Sequence, residues 1–198
     1  MIGQELLWHL AQQNGGMLKT ADAIRAGVSK PTIAKFVEKN HFDRVMRGVY
    51  CSPDTWIDKM YILQMRWPGA IYSHDTALFL HGLTDRDPLS YTVTMKTGTN
   101  PTNLSQEGLK VFTVKNELMD LGITTAETPF YHEVKVYNLE RTICDIVRSR
   151  SAMDAQIFQD ALKNYAKMQG KDMLLLLEYA RVFRIEKIMK QYMEVLIL

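Results

Sequence analysis

Between residues 20 and 50, two short helical patterns meet at a tight turn, and a basic hairpin pattern follows them. Ala23 is small enough to let a second helix approach closely, and Gly27 can take the left-handed backbone conformation that ends the first helix. Val28 and Ile33 supply apolar contacts between the two helices. This spacing predicts a helix-turn-helix, a unit that lays its second helix in the major groove of DNA.

The second helix of this unit is predicted to begin after Ser29. A serine is a good N-cap because its hydroxyl accepts a hydrogen bond from a free backbone N–H of the first turn, and Pro31 lies where a missing N–H costs nothing. The polar side chains in and beside this helix are expected to face DNA bases or phosphates. They are Ser29, Lys30, Thr32, Lys35 and Lys39.

A wing is predicted directly after the second helix, because two short β-like runs flank the Arg47-Gly48 turn. Arg44 and Arg47 are expected to contact the phosphate backbone or the minor groove. Thr20 is predicted to cap the first helix of the helix-turn-helix and to donate to a phosphate. Residues 19–50 hold seven basic and three acidic side chains. This local excess favours contact with DNA, although such a unit can also act only as a scaffold for protein contacts.

The composition of the whole chain limits where that affinity can come from. The 198 residues carry a formal net charge of only +2, so nucleic-acid binding needs a local basic patch. The N-terminus lacks a basic leader, and no apolar run reaches the roughly 20 residues of a membrane span, so we expect a cytoplasmic protein. Cys51 and Cys144 have no metal-site spacing and are predicted to be unpaired, buried thiols.

The predicted fold class is α+β, with an N-terminal winged helix-turn-helix followed by a mixed α/β C-terminal domain that ends in a helical bundle. Ser52-Pro53-Asp54 is the expected boundary between a DNA-binding domain, 1–53, and a second domain, 54–198. Outside the winged unit, helices are predicted over 2–14, 57–67, 73–82, 139–148, 156–168, 172–183 and 185–196, and strands over 91–95, 109–114, 122–125 and 133–137.

The second domain offers no catalytic constellation in its sequence. Ser73-His74-Asp75 contains the residue types of a hydrolytic triad, but consecutive residues cannot converge as a triad must. A helix cap followed by first-turn residues is the simpler interpretation. His74 and His81 have no further ligands nearby, so neither a metal nor a cofactor is predicted. Lys163 and Lys167 lie one turn apart and are candidates for a second nucleic-acid or partner surface. The alternative is that they belong to a helix face that only contacts solvent.

Three segments together resemble a known family. They are GVSKPTIAKFVEKNHFDRVMRGVY at 27–50, AIYSHDTALFLHGLTDRDP at 70–88 and RTICD at 141–145. Their order and spacing are similar to those of the AbiEi antitoxins of AbiE-type abortive-infection systems, a type IV toxin–antitoxin family with an N-terminal winged helix. The resemblance spans nearly the whole chain, and its middle segment is the most diagnostic.

The resemblance implies a phage-defence role with two parts and no enzymatic activity. The first domain would bind inverted repeats in double-stranded DNA upstream of its own operon and act as a transcriptional repressor of that operon. The second would counter a nucleotidyltransferase-like toxin, without necessarily forming a stable complex with it. Nucleotide and metal would belong to the toxin, so this chain would need no cofactor and no membrane.

Two other classes of function stay open. A winged-helix transcriptional regulator could sense a ligand or dimerise through its second domain. It would show a ligand-sized pocket there and would not rescue cells from a neighbouring toxin. An enzyme such as a nuclease could instead use the winged helix to dock on DNA. It would need convergent carboxylates or histidines, for which His74, Asp75, His81 and Asp85 are the available residues.

Overall fold

The computed structural model describes the backbone of residues 2–197 and the side chains of residues 3–194. The chain forms two compact units. The first comprises Met1–Arg66 and Pro129–His132, and the second comprises Trp67–Thr128 and Glu133–Leu198. The first unit therefore runs past the expected boundary at residue 53 and includes a short segment from much later in the chain. The functional division into 1–53 and 54–198 stays a prediction.

In the described residues, the first unit is a three-stranded antiparallel sheet with four helices. The strands are β1 (Met17–Lys19), β2 (Asp43–Met46) and β3 (Val49–Cys51), in the spatial order β1-β3-β2. The helices are α1 (Ile2–Gln13), α2 (Thr20–Arg25), α3 (Lys30–Lys39) and α4 (Lys59–Arg66). Strand β1 was not predicted from the sequence; it pairs with β3 along its full length. The two strands of the wing therefore belong to a larger, three-stranded sheet.

An aromatic cluster holds α1 and α3 of the first unit together. The ring of Trp8 lies 5.5 Å from that of Phe36 and 5.4 Å from that of Phe42, measured between centroids. Leu7 and Ile33 are buried in the same core. Burial of each large apolar side chain stabilises the unit by about 1.5–3 kcal/mol. This core fixes which face of α3 turns outward.

The second unit is a five-stranded mixed sheet with helices. Its strands are β4 (Ile71–Tyr72), β5 (Thr92–Lys96), β6 (Lys110–Val114), β7 (Ile123–Glu127) and β8 (Glu133–Tyr137), in the order β6-β5-β4-β8-β7. Its helices are α5 (His74–Leu80), α6 (Thr102–Gln106), α7 (Asn116–Met119), α8 (Leu139–Arg148), α9 (Ala155–Lys167), α10 (Met173–Val182) and α11 (Glu186–Ile197). A short 3-10 helix, Arg150–Ala152, lies between α8 and α9.

The predicted fold class is confirmed: the chain is α+β, with a winged helix-turn-helix at its start and helices at its end. The four predicted strands of the second unit are present, but β5 and β6 are parallel. Parallel strands need a crossover, and α6 supplies one between them. The helix predicted over 57–67 begins at Lys59, because the carboxylate of Asp58 accepts a hydrogen bond from the Tyr61 backbone N–H at 3.1 Å.

Helix α8 is the centre of the second unit. Eight consecutive residues, Glu140–Val147, are buried, and the helix packs on α5 and α10. Both cysteines are free and buried, as predicted; burial raises the pKa of the Cys144 thiol to about 12. Among the helices that the structure describes, none is long and apolar enough to cross a bilayer.

Candidate nucleic-acid interface

The turn between α2 and α3 has the geometry predicted for a helix-turn-helix. Ala23 is completely buried, and its carbonyl accepts a hydrogen bond from the Val28 N–H at 2.9 Å. Gly27 has a φ of +88°, and a Cβ added there would meet nothing within 4 Å. The requirement for glycine is therefore conformational and not steric. A larger residue at Ala23 would push the two helices apart.

The N-terminus of α3 is capped as predicted. The Ser29 hydroxyl accepts a hydrogen bond from the Thr32 N–H at 3.4 Å, and Pro31 lies in the first turn. The hydroxyls of Ser29 and Thr32 are also 2.9 Å apart. Both predicted DNA-contact hydroxyls are thus engaged with each other at the helix start. Lys30 beside them is exposed.

The direction of the α3 side chains follows from its buried residues. Ile33 and Phe36 point into the core, at 3% and 1% exposure. With roughly 100° of rotation per residue, Pro31 and Glu38 lie within about 10° of the direction opposite to that core. Both are exposed. The sequence interpretation did not single out either residue, because it selected polar and basic residues and not positions opposite the core.

The remaining outward residues of α3 flank this line. Ala34 and Lys35 lie about 50° to either side of it, and Lys30 and Lys39 lie about 90° away, on opposite flanks. All four are exposed. Thr32 lies about 110° from the outward direction and is half-buried, which makes it the least outward of the predicted contacts.

The wing presents both of its arginines to solvent. Arg44 and Arg47 are exposed, and Gly48 completes the turn with a φ of +78°. The Gly48 carbonyl accepts a hydrogen bond from the Thr20 N–H at 2.8 Å, which ties the wing turn to the start of α2. The prediction that Thr20 caps α2 is wrong. Lys19 holds the cap position and Thr20 is the first helical residue, because strand β1 leads directly into the helix.

The predicted DNA-contact cations share one electrostatic feature. Within the described part of the chain, none of them has a carboxylate within 4.0 Å; they are Lys30, Lys35, Lys39, Arg44 and Arg47. Lys19, in contrast, donates to the Tyr61 hydroxyl at 2.9 Å, and Arg25 pairs with Asp22 at 3.4 Å. The five cations are therefore available to an anionic partner.

Comparison with known proteins shows which family this part of the chain is similar to. Residues 5–53 match the family described as "Transcriptional regulator, AbiEi antitoxin". The predicted resemblance to the AbiEi antitoxins is confirmed over these residues, and the segments at 70–88 and 141–145 lie outside the match. The match covers the helix-turn-helix and the wing, which we call the AbiEi head, and it supports a role as an antitoxin and transcriptional regulator.

A solved structure shares the fold beyond the AbiEi head. The crystal structure of the RV2827C protein from Mycobacterium tuberculosis superposes with a TM-score of 0.57, at 13% sequence identity. The similarity covers 97% of this chain and 74% of that chain. At this level of identity it concerns the fold alone. No curated protein sequence matches the chain.

Outside the AbiEi head, Ser73-His74-Asp75 has a different structure from the one expected. Ser73 stands at the cap position of α5 without capping it. Its hydroxyl instead accepts from the Thr94 hydroxyl at 2.9 Å and lies 3.0 Å from His74 Nδ1. His74 Nε2 lies 3.1 Å from the Ser149 hydroxyl. The segment is therefore a buried polar cluster that joins α5 to β5 and to the end of α8.

The environment of His74 explains its charge state. The side chain is 3% exposed, and its ring stacks on Phe112 at 3.7 Å between centroids. Burial, followed by the nearby cations Lys110, Arg148 and Arg141, lowers the pKa of His74 to about 3. A neutral imidazole with so low a pKa is a poor general base at pH 7. No group of three metal-binding side chains occurs among the described residues.

The RTICD segment of the second unit contributes a buried ion pair. Arg141 is fully buried and donates to Asp145 at 3.0 Å and to the carbonyls of Leu118 and Leu121 at 2.9 and 2.8 Å. Its guanidinium also lies 4.1 Å from the centroid of the Tyr137 ring. This arginine holds α8 to α7 and to the turn that follows α7, so its role is structural.

Two further predicted residues lie on α9. Lys163 and Lys167 are both exposed, one turn apart. Within the described residues neither forms an ion pair. They are free to contact an anionic partner, but no nearby side chain points to a particular ligand.

Proposed function

We propose that this protein is a DNA-binding antitoxin that represses its own operon. The observation that carries the proposal is the exposed, unpaired basic surface of the AbiEi head, which is formed by α3 and the wing. An elongated helix face with cations on both flanks matches the width of a major groove, and two arginines on a wing match an adjacent phosphate strand. The protein would act where the bacterial DNA is, in the cytoplasm.

In this proposal, α3 enters the major groove and each cation has a position relative to it. Lys30 and Lys39 on the flanks of α3 contact phosphates, Lys35 reaches the groove, and Arg44 and Arg47 contact the backbone or minor groove. Ser29, Thr20 and Thr32 position these elements through the hydrogen bonds that they make. The DNA would carry inverted repeats, with one copy of the chain on each repeat.

The second part of the proposal is that the chain counters a nucleotidyltransferase-like toxin without acting as an enzyme. The family match supports the antitoxin role, and the low pKa of His74 argues against acid–base chemistry at the one histidine of the Ser73-His74-Asp75 segment. Neutralisation does not require a stable complex. Lys163 and Lys167 are proposed as a secondary contact surface for a partner or for nucleic acid.

A binding measurement tests the proposed recognition of operator DNA. Fluorescence anisotropy with a labelled duplex from upstream of the gene, compared with a scrambled duplex of equal length, should show tighter binding to the upstream DNA. The logarithm of the binding constant should fall with the logarithm of the salt concentration by about 0.9 per phosphate contact. Equal affinity for both duplexes would contradict operator recognition.

A growth measurement tests the proposed antitoxin role. The neighbouring open reading frame is expressed with the full chain, with the double variant Lys35→Ala/Arg47→Ala, or with neither. We expect both forms of the chain to rescue growth. The substituted residues are exposed and lie within the AbiEi head, whereas neutralisation of the toxin is assigned to the second domain. Failure of the wild-type chain to rescue a toxic neighbour would overturn the antitoxin role while leaving the DNA-binding role intact.

A further inference from the structure

Helix α3 carries one carboxylate on its outward face, in its last turn. Glu38 lies within about 10° of the direction opposite to the two buried residues of the helix, Ile33 and Phe36. The side chain is exposed. In the part of the chain that the structure describes, its carboxylate has no cation within 4.0 Å, although Lys35 is three residues away on the same helix. The acid is therefore unneutralised.

Such a carboxylate weakens binding to the DNA backbone. Every phosphate near α3 repels it, and within a Debye length of about 10 Å this repulsion is only partly screened. Lys30, Lys35 and Lys39 act in the opposite sense on the same helix. A helix that served only to bind phosphates would gain affinity from a neutral residue at this position.

The base edges in the major groove provide a partner that offsets this repulsion. Guanine presents O6 and N7 there and thymine presents O4, which are all acceptors and repel a carboxylate. Cytosine presents its N4 amino group and adenine its N6 amino group, and both are donors. The acceptor N7 beside the adenine amino group repels a carboxylate, so cytosine is the base whose edge suits a glutamate. An outward glutamate on a groove-facing helix therefore distinguishes base pairs by attraction to one and repulsion by others.

The neighbours of Glu38 allow its carboxylate to reach the bases. Pro31 precedes it by two turns on the same outward line, and Ala34, one turn before Glu38, lies about 50° to one side of that line. Both are exposed and have short side chains. A helix with small residues on and beside its outward line can lie close to the floor of the groove, and the methyl group of an alanine can also contact a thymine methyl.

We propose that Glu38 is a specificity-determining residue that accepts a hydrogen bond from cytosine N4 in the major groove. The inference rests on the proposed DNA-binding function and goes further by naming the base. Lys30 and Lys39 supply affinity that is independent of sequence, and Glu38 gives up part of that affinity for discrimination. Among the described residues, the Glu38 side chain makes no hydrogen bond or ion pair that would give it a structural role; only its backbone carbonyl is engaged, by the His41 N–H.

The test separates sequence preference from affinity. Duplexes selected by the full wild-type chain from a library with a randomised core define the preferred site. Each cytosine of that site is then changed in turn, and binding of wild type, Glu38→Gln and Glu38→Ala is measured at one salt concentration. The control is Glu5→Gln, which removes the same charge from an exposed position on α1.

The expected result has two opposite components. Wild type loses roughly tenfold in affinity when one particular cytosine is replaced, and both Glu38 variants lose that preference. The same variants bind a scrambled duplex about twofold to fivefold more tightly, because phosphate repulsion is removed. Glu5→Gln changes neither preference nor, to within twofold, affinity for the scrambled duplex.

Two outcomes overturn the inference in different ways. If wild type selects a site and the Glu38 variants keep the preference for every cytosine in it, the assignment of Glu38 is wrong and the DNA-binding function stands. If wild type binds no duplex above the scrambled control, the proposed function fails, and the role of Glu38 fails with it.

Discussion

The two units of this protein use charged side chains in opposite ways. In the AbiEi head the cations of α3 and the wing are exposed and have no carboxylate partner in the described chain. In the second unit Arg141 is fully buried and is bonded to a carboxylate and two carbonyls. Charge that is left unpaired is available to a partner, whereas charge that is buried and paired holds the fold. The comparison predicts which arginines affect binding and which affect stability.

The largest effect is expected from Arg141→Ala. Removing one partner of a buried ion pair lowers the free energy of unfolding by about 3–5 kcal/mol, because polar groups are left buried without partners. Chemical denaturation followed by circular dichroism measures it. Arg181→Ala is the matched control, since Arg181 pairs with Glu186 at 3.2 Å but is 61% exposed, and it should cost less than about 1 kcal/mol. Equal losses for the two variants would break the comparison.

The second largest effect on the free energy of unfolding is expected from the titration of His74. Its pKa is about 3 in the folded chain, below the ordinary value of 6.5, so the unfolded chain binds the extra proton first as the pH falls. The contribution to stability is fully present above pH 6.5 and is lost progressively toward pH 3. Between pH 7 and pH 5 the loss is about 2 kcal/mol. Unfolding midpoints across this range measure it.

The matched variant for this pH effect is His74→Asn. Asparagine tolerates the positive φ of +48° at this position and does not titrate, so its stability should depend less on pH over the same range. If wild type and variant lose stability in parallel, the pH dependence comes from other groups.

Arg47→Ala should leave the stability nearly unchanged and weaken DNA binding, in contrast to Arg141→Ala, which lowers the stability. Because Arg47 is exposed and unpaired, the free energy of unfolding should change by less than about 0.5 kcal/mol. Affinity should fall for all DNA sequences alike, and the slope against salt should decrease by about one. Anisotropy titrations at several salt concentrations measure both. An unchanged affinity at low salt would remove the wing from the interface.

Among the substitutions expected to lower the free energy of unfolding, the smallest effect is expected from Ser29→Ala, which removes the N-cap of α3. A cap of this kind contributes about 0.5–2 kcal/mol, and the long N–H to hydroxyl distance of 3.4 Å places it near the lower end. Ser29→Gly, which costs only a few tenths of a kcal/mol at such positions, is the comparison. A loss above 2 kcal/mol would mean that the hydroxyl of Ser29 does more than cap.

Local patterns predicted much of this fold. Helix α8 is found over the residues expected, because Asn138 caps it and an amphipathic pattern runs through it. Strands β1 and β4 have only three and two residues, and neither has a local signal, since their partners are distant in sequence. For the same reason the hydroxyl of Ser73 was assigned to the helix start, when it bonds Thr94 of a later strand.

The candidate interface was predicted in its elements and only partly in its residues. The cap of α3, the close approach at Ala23 and the wing turn all depend on neighbouring residues and were anticipated. The outward line through Pro31 and Glu38 was available from helical periodicity, but selecting residues by positive charge overlooked it. Which of these side chains contact DNA stays a prediction.

The segment Pro129–His132 has a consequence for how the first unit is made. His132 donates to Asp58 at 2.9 Å and stacks on Tyr61 at 4.5 Å, and a Cβ at Gly15 would meet its ring. The first unit is therefore not encoded by a continuous stretch of sequence. During synthesis a ribosome must pass residue 132 before the first unit has all its parts. A gene fragment ending at residue 66 would encode the helix-turn-helix and the wing but not the complete unit.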